Sequence, residues 1–213
     1  MAELGINEDT NLASPPALAQ TLSHWAVELR FDQAPIEVQR AFRSCLLNNL
    51  GMALAVDEAA DPLGQALSSI ASAEGPARLF GARGQRSAAD AAFINAGLIT
   101  ARGQNDTHPE VVTHIGCIVI PAVLALAEMV QAPAQRVLDA LLVGYESIPR
   151  LEWRLQIAKT SRDGVHAALL AREGLSGAPF CLEGSSGFGA AYAATVPTLD
   201  FAGWKTPQMV FKP

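Results

Sequence analysis

Positive charge is scarce in this sequence and nowhere gathered. Fifteen Lys and Arg stand against 21 Asp and Glu, the net charge is −6, and no stretch concentrates the basic residues. Without a basic face to neutralise phosphates, nucleic acid is a poor partner. Cysteine is also rare. Cys45, Cys117 and Cys181 are odd in number, widely spaced and set among apolar residues, which suits reduced core thiols rather than a disulfide framework or a zinc site. Long apolar runs are missing as well. The longest, residues 115–126, is shorter than the roughly 20 residues that span a bilayer and contains Pro121, so no membrane partner is expected. Residues 1–14 are acidic and have no apolar segment of the signal-peptide kind, and a cytoplasmic location is the expectation.

What is abundant is small and aliphatic. Half of the 213 residues are hydrophobic and only 6% aromatic, enough apolar mass for a packed core. Much of it is Ala and Leu, which lose little side-chain freedom in a helix. After a polar, disordered lead over residues 1–14, Ser14-Pro15-Pro16 reads as a helix start, followed by Leu18, Leu22, Trp25 and Leu29 at helical spacing. A second helix is predicted from about 36 to 56, with Val38, Phe42, Cys45, Leu46 and Leu50 inward and Asn48 and Asn49 in its last turns. A third is predicted over 62–73, and residues 77–80 form a short strand or extended chain. The small-residue segment 87–100 predicts a central helix, since small side chains let helix axes approach closely. Residues 115–130 are apolar nearly all round and predict a helix buried on every side. Further helices are predicted from Pro133 to near Pro149, with Tyr145 inward, and from Asp163 to Glu173, stopped by Gly174, with a short one near 189–194.

The chemistry gathers between two apolar helices. Asn105, Asp106, Thr107, His108, Pro109, Thr113 and His114 place two imidazoles, a carboxylate and hydroxyls at one end of the helical layer. Histidine exchanges protons near neutral pH and a nearby Asp can fix its tautomer, so the cluster could abstract a proton beside a carbonyl or carboxylate. The plain alternative is a polar loop whose Thr113 caps the next helix. His24 and His166 lie on amphipathic helices and read as surface or core-edge residues. Gly184-Ser185-Ser186-Gly187-Phe188-Gly189 lacks the Lys-Ser or Lys-Thr of a phosphate loop and reads as a glycine-rich turn.

The order of segments carries a resemblance. Asp106-Thr107-His108-Pro109 with Thr113-His114, then residues 121–128, then Gly144-Tyr145-Glu146, together resemble the MmgE/PrpD family of 2-methylcitrate dehydratases and cis-aconitate decarboxylases. Residues 164–177, Leu182-Glu183-Gly184 and the ending Phe211-Lys212-Pro213 are similar to later parts of that family. The resemblance implies an all-α helical domain over residues 15–213, usually completed by a smaller α+β domain in dimeric enzymes without a metal cofactor. It implies dehydration, decarboxylation or epimerisation of a small polycarboxylate. On that likeness His114, Thr107 and Asp106 are the catalytic candidates, while Lys212 and His108 are the substrate-binding ones, the ammonium pairing with a carboxylate.

The chain departs from the family pattern in three places. Gly103 stands where the family has its catalytic aspartate in Asp-Phe-Asp-Asp-Thr, against Gly103-Gln104-Asn105-Asp106-Thr107 here. A long stretch of family sequence, with a His-bearing segment and a lysine, has no counterpart between Arg154 and Lys159, so the helical domain is expected to be shortened and incomplete after about 155. The α+β domain has no counterpart in the sequence either. Two expectations follow: a lyase acting on a small polycarboxylate, or a catalytically reduced helical scaffold derived from the family. Either is expected to form a homo-oligomer, because the missing segments would uncover apolar surface.

Overall fold

The computed structural model describes residues 18–56, 74–81, 84–109, 113–150, 157–174, 180, 182, 184 and 203–210. Among them are six α-helices, two single-turn 3-10 helices and one two-stranded hairpin, in keeping with the expected all-α fold. The helices are α1 (Leu18–Glu28), α2 (Ile36–Leu54), α3 (Ala88–Thr100), α4 (Gly116–Val130), α5 (Ala134–Arg150) and α6 (Ile157–Arg172). The helix expected over 62–73, the one near 189–194 and the N-terminal lead lie outside the described residues.

Helix α3 is central, as its small residues predict. Ala88, Ala91, Ala92, Ala96 and Gly97 are all buried, and the helix packs most extensively against α4 and α6. Its start is defined chemically: the Ser87 hydroxyl accepts the Asp90 N–H at 3.2 Å, meeting one of the donors that a helix start leaves unpaired. Ile94, Leu98 and Ile99 join Cys117, Ile118 and Val165 in one core cluster. A second cluster lies between α2, α4 and α5, where Phe42 meets the Tyr145 ring edge-on at 5.6 Å and Val38, Ile115, Ile120, Leu141 and Leu142 complete the packing.

The hairpin is pinned by side chains that stand in for a further strand. Ala77–Arg78 (β1) pairs antiparallel with Gln85–Arg86 (β2). The Asn95 amide of α3 accepts the Phe80 N–H at 2.9 Å and donates to the Arg78 carbonyl at 3.0 Å. Glu128 of α4 accepts the Arg78 N–H and Nε–H at 2.6 and 2.7 Å.

Three expectations need correction. Helix α4 is buried only over residues 116–121 and at Ala125; residues 122–124 and 126–129 are half-buried, so its neighbours enclose the N-terminal turns and leave the rest partly open. Helix α1 has no fully buried residue, and its stripe of Leu18, Leu22 and Trp25 is only half-buried. Helix α6 begins at Ile157, six positions before the predicted Asp163, because Lys159-Thr160-Ser161-Arg162 carries no apolar period to announce it.

Helices α4 and α5 approach closely at Gly144. A Cβ there would lie 2.5 and 2.9 Å from the two methyls of Val119, and a β-branched side chain cannot turn away. Gly144→Ala is therefore expected to destabilise the protein by about 1–3 kcal/mol through overpacking, despite a helix propensity about 1 kcal/mol in favour of Ala. Urea denaturation checks this; a stabilised variant would mean that the helix contact is looser than it stands.

Candidate active site

The polar loop leaves the end of α3 and returns to start α4, and a single side chain ties it to three helices. Asp106 is fully buried. One carboxyl oxygen accepts the Tyr145 hydroxyl of α5 at 2.7 Å, and the other accepts the Gly116 N–H at the start of α4 at 3.2 Å. Asn49 of α2 completes the cluster, donating to the Cys45 carbonyl at 2.8 Å and lying 3.5 Å from the Tyr145 hydroxyl. A Cβ at Gly116 would collide with the Asn49 amide and the Tyr145 hydroxyl, so only glycine leaves room for this convergence.

Burial pushes the Asp106 carboxyl up, opposed by the hydrogen bonds from Tyr145, Asn49, the Gly116 N–H and Cys45. Tyr145 is pushed well above its ordinary 10.0 by burial first and by the adjoining Asp106 second. The Cys45 and Cys117 thiols are also pushed up, mainly by burial, which disfavours the thiolate. In all four groups burial disfavours the charged form. They form a support.

What the support holds is His114. Its Nδ1 lies 3.0 Å from the Asp106 backbone carbonyl and 3.1 Å from the Thr107 hydroxyl. A carbonyl oxygen only accepts, so the bond to Asp106 forms in the tautomer that carries its hydrogen on Nδ1, which leaves the lone pair on Nε2. The ring is half-buried. Asp106 meets the ring through its main chain rather than its carboxylate. Thr107 is held in turn by a two-way backbone pair with Val210, both bonds at 2.8 Å.

The structure thus brings Asp106, Thr107 and His114 together. His108 is placed differently: its ring is fully buried, and its N–H pairs with the Thr113 carbonyl at 2.9 Å. Thr113 does not cap α4, whose N-cap position is Ile115 with no side-chain cap bond. Gly103 is exposed at φ +66° with nothing within 4 Å of a Cβ built on it. His24 and His166 are exposed, in line with the surface reading. Lys212 and Cys181 lie outside the described residues. Among those residues no group of three His, Cys, Asp or Glu could hold a metal ion, and no helix is long and apolar enough to cross a membrane.

Residues 20–153 match the MmgE/PrpD N-terminal domain, a span that includes the whole of this loop and its three supporting helices. The chain belongs to the MmgE/PrpD family. No curated protein matches it. The match ends at Trp153, so the likeness of later segments to MmgE/PrpD proteins rests on the short motifs alone.

Asn49 and Tyr145 are parts of this arrangement that the motifs did not single out as functional. A signal for Asn49 was present: it continues the buried stripe of Val38, Phe42 and Cys45 at helical spacing, where an amide needs a reason.

Because the folded Asp106 carboxyl titrates above its ordinary 3.8, its favourable contribution is complete below that value and is lost as pH rises through the folded value. Asp106→Asn cannot ionise. Its stability relative to the parent is therefore expected to improve steadily as pH rises above 3.8. Urea midpoints across the acid-to-neutral range check the sign, and a parent that gains on the variant with rising pH would reverse it. Tyr145→Phe should cost about 1–3 kcal/mol by leaving the carboxyl without its O–H donor.

Proposed function

We propose that this MmgE/PrpD chain is a lyase that dehydrates or decarboxylates, or epimerises, a small polycarboxylate such as 2-methylcitrate or cis-aconitate. One observation carries the reading: His114 Nδ1 meets the Asp106 carbonyl and the Thr107 hydroxyl in a half-buried ring, an arrangement that suits Nδ1 as donor and Nε2 as base. In dehydration Nε2 would take the proton from the carbon beside a carboxylate, and the imidazolium could return a proton to the departing hydroxyl, which leaves as water. In decarboxylation the imidazolium would deliver a proton to the carbon that loses carbon dioxide.

Roles divide accordingly. His114 is the acid or base, Thr107 steadies it and borders the substrate, and Asp106 acts by holding both in place. Lys212 follows Val210 by two positions in the chain and is assigned to a substrate carboxylate on the family likeness. His108, being fully buried, is assigned a supporting place rather than a substrate contact. No cofactor is invoked. A cytoplasmic homo-oligomer is part of the same reading, supported by Leu47 and Leu54, exposed at 76% and 62% on one face of α2.

The second reading, a catalytically reduced scaffold, is favoured by Gly103. Its open position offers no group where the family has its aspartate. Gly103→Asp is sterically possible, although φ +66° costs a side chain roughly 1–2 kcal/mol, least for Asn or Asp.

Product formation from 2-methylcitrate, citrate and cis-aconitate, followed by NMR at matched folding, tests the proposal. His114→Ala is expected to lose about 10²–10⁴-fold in rate, His108→Ala much less, and Gly103→Asp to gain. If the parent and Gly103→Asp are both inactive on all three compounds, the scaffold reading replaces the lyase.

A further inference from the structure

Glu146 is a fully buried carboxylate next to Tyr145 on α5, and the chemistry proposed above makes no use of it. Its oxygens gather three donors from one distant turn: the Lys205 N–H at 2.8 Å, the Thr206 N–H at 2.8 Å and the Thr206 hydroxyl at 2.5 Å. That turn is the 3-10 helix Thr206–Gln208, and a carboxylate at its start meets amides that the turn leaves unpaired. Two residues after the turn, Val210 makes its two-way pair with Thr107.

The pair bears on His114 through one peptide plane. The Asp106 carbonyl, which meets His114 Nδ1, and the Thr107 N–H, which meets the Val210 carbonyl, belong to the same peptide unit. That unit is trans, so the two groups point in opposite directions from a rigid plane. Fixing the N–H on one side aims the carbonyl on the other. Neighbouring residues of α5 therefore secure the two halves of the arrangement: Tyr145 holds the Asp106 side chain, and Glu146 holds the turn that leads to Val210.

We propose that Glu146 is a positioning residue for His114, acting through the Thr206 turn, Val210 and the Asp106–Thr107 peptide plane to keep the imidazole in its Nδ1–H form. Its importance for catalysis rests on the lyase reading, whereas the effect on the ring does not. Free histidine side chains favour hydrogen on Nε2, so a loosened plane releases the ring toward that form and removes the lone pair that Nε2 would use as a base.

The test is the tautomer of His114, read from its ring ¹⁵N shifts in the full chain at mildly alkaline pH. In the parent the Nδ1–H form should dominate. In Glu146→Gln, which removes the charge and one acceptor oxygen, the ratio of Nδ1–H to Nε2–H should fall by about tenfold, the equivalent of about one hydrogen bond. Amide exchange at Thr107 should quicken alongside it. A folded Glu146→Gln protein whose His114 keeps the parent's tautomer ratio would overturn the proposal, because a purely structural carboxylate lowers stability without touching the ring. If Glu146→Gln does not fold, Thr206→Val removes one of the three bonds with little change of shape. A smaller shift in the same direction is then expected, and an unmoved ring in folded Thr206→Val overturns the proposal equally. Inactivity of the parent on every polycarboxylate, with the tautomer still answering to Glu146, would sink the lyase reading and leave the positioning role standing.

Discussion

A carboxyl group shut away from water organises this structure. Asp106 sits where α2, α4 and α5 converge, and it remains there because Tyr145, the Gly116 amide and the Asn49 amide supply what solvent would have supplied. Burying such a group is costly unless its hydrogen bonds are met, so each partner depends on the others. Gly116 must lack a side chain, Asn49 must stand on an otherwise apolar stripe, and the loop must leave α3 at the angle that brings Asp106 inward. The same residue then offers its main-chain carbonyl to His114, so the support and the reactive edge share one amino acid.

This arrangement lets a short loop between helices hold an imidazole through two contacts at Nδ1. Loops are ordinarily the mobile part of a fold, and proton transfer needs a group held to a fraction of an ångström. Here α5 holds the loop twice, through Tyr145 to the Asp106 side chain and through Glu146 to the turn that leads to Val210, the backbone partner of Thr107. Gly103 lies outside that support, exposed and left-handed.

Much of the fold was legible because its signals are local. The stripe of Val38, Phe42 and Cys45 announced α2, and the run of small residues over 87–100 announced α3. Helix α6 was found late, and the full burial expected of α4 was too great, because apolar content alone does not say how many neighbours a helix has. At the site, the sequence brought Asp106, Thr107 and His114 to notice by adjacency. It did not separate the roles of a residue's side chain and main chain, so it did not reveal that the Asp106 carbonyl meets His114. Nor could spacing reveal that residues 206–210 return to pair with Thr107, since a contact across a hundred residues leaves no periodic trace.

The coupling between Asp106 and Tyr145 tests the account most directly. A double-mutant cycle with Asp106→Ala, Tyr145→Phe and the combination, measured by urea denaturation, isolates the interaction from the cost of each truncation. If the buried pair is the constraint on which the site depends, the coupling energy should fall at about 1–3 kcal/mol, and the double variant should be little worse than Asp106→Ala alone. Strict additivity, within about 0.3–0.5 kcal/mol, would contradict it, for the two groups would then contribute independently and the loop would be held by something else.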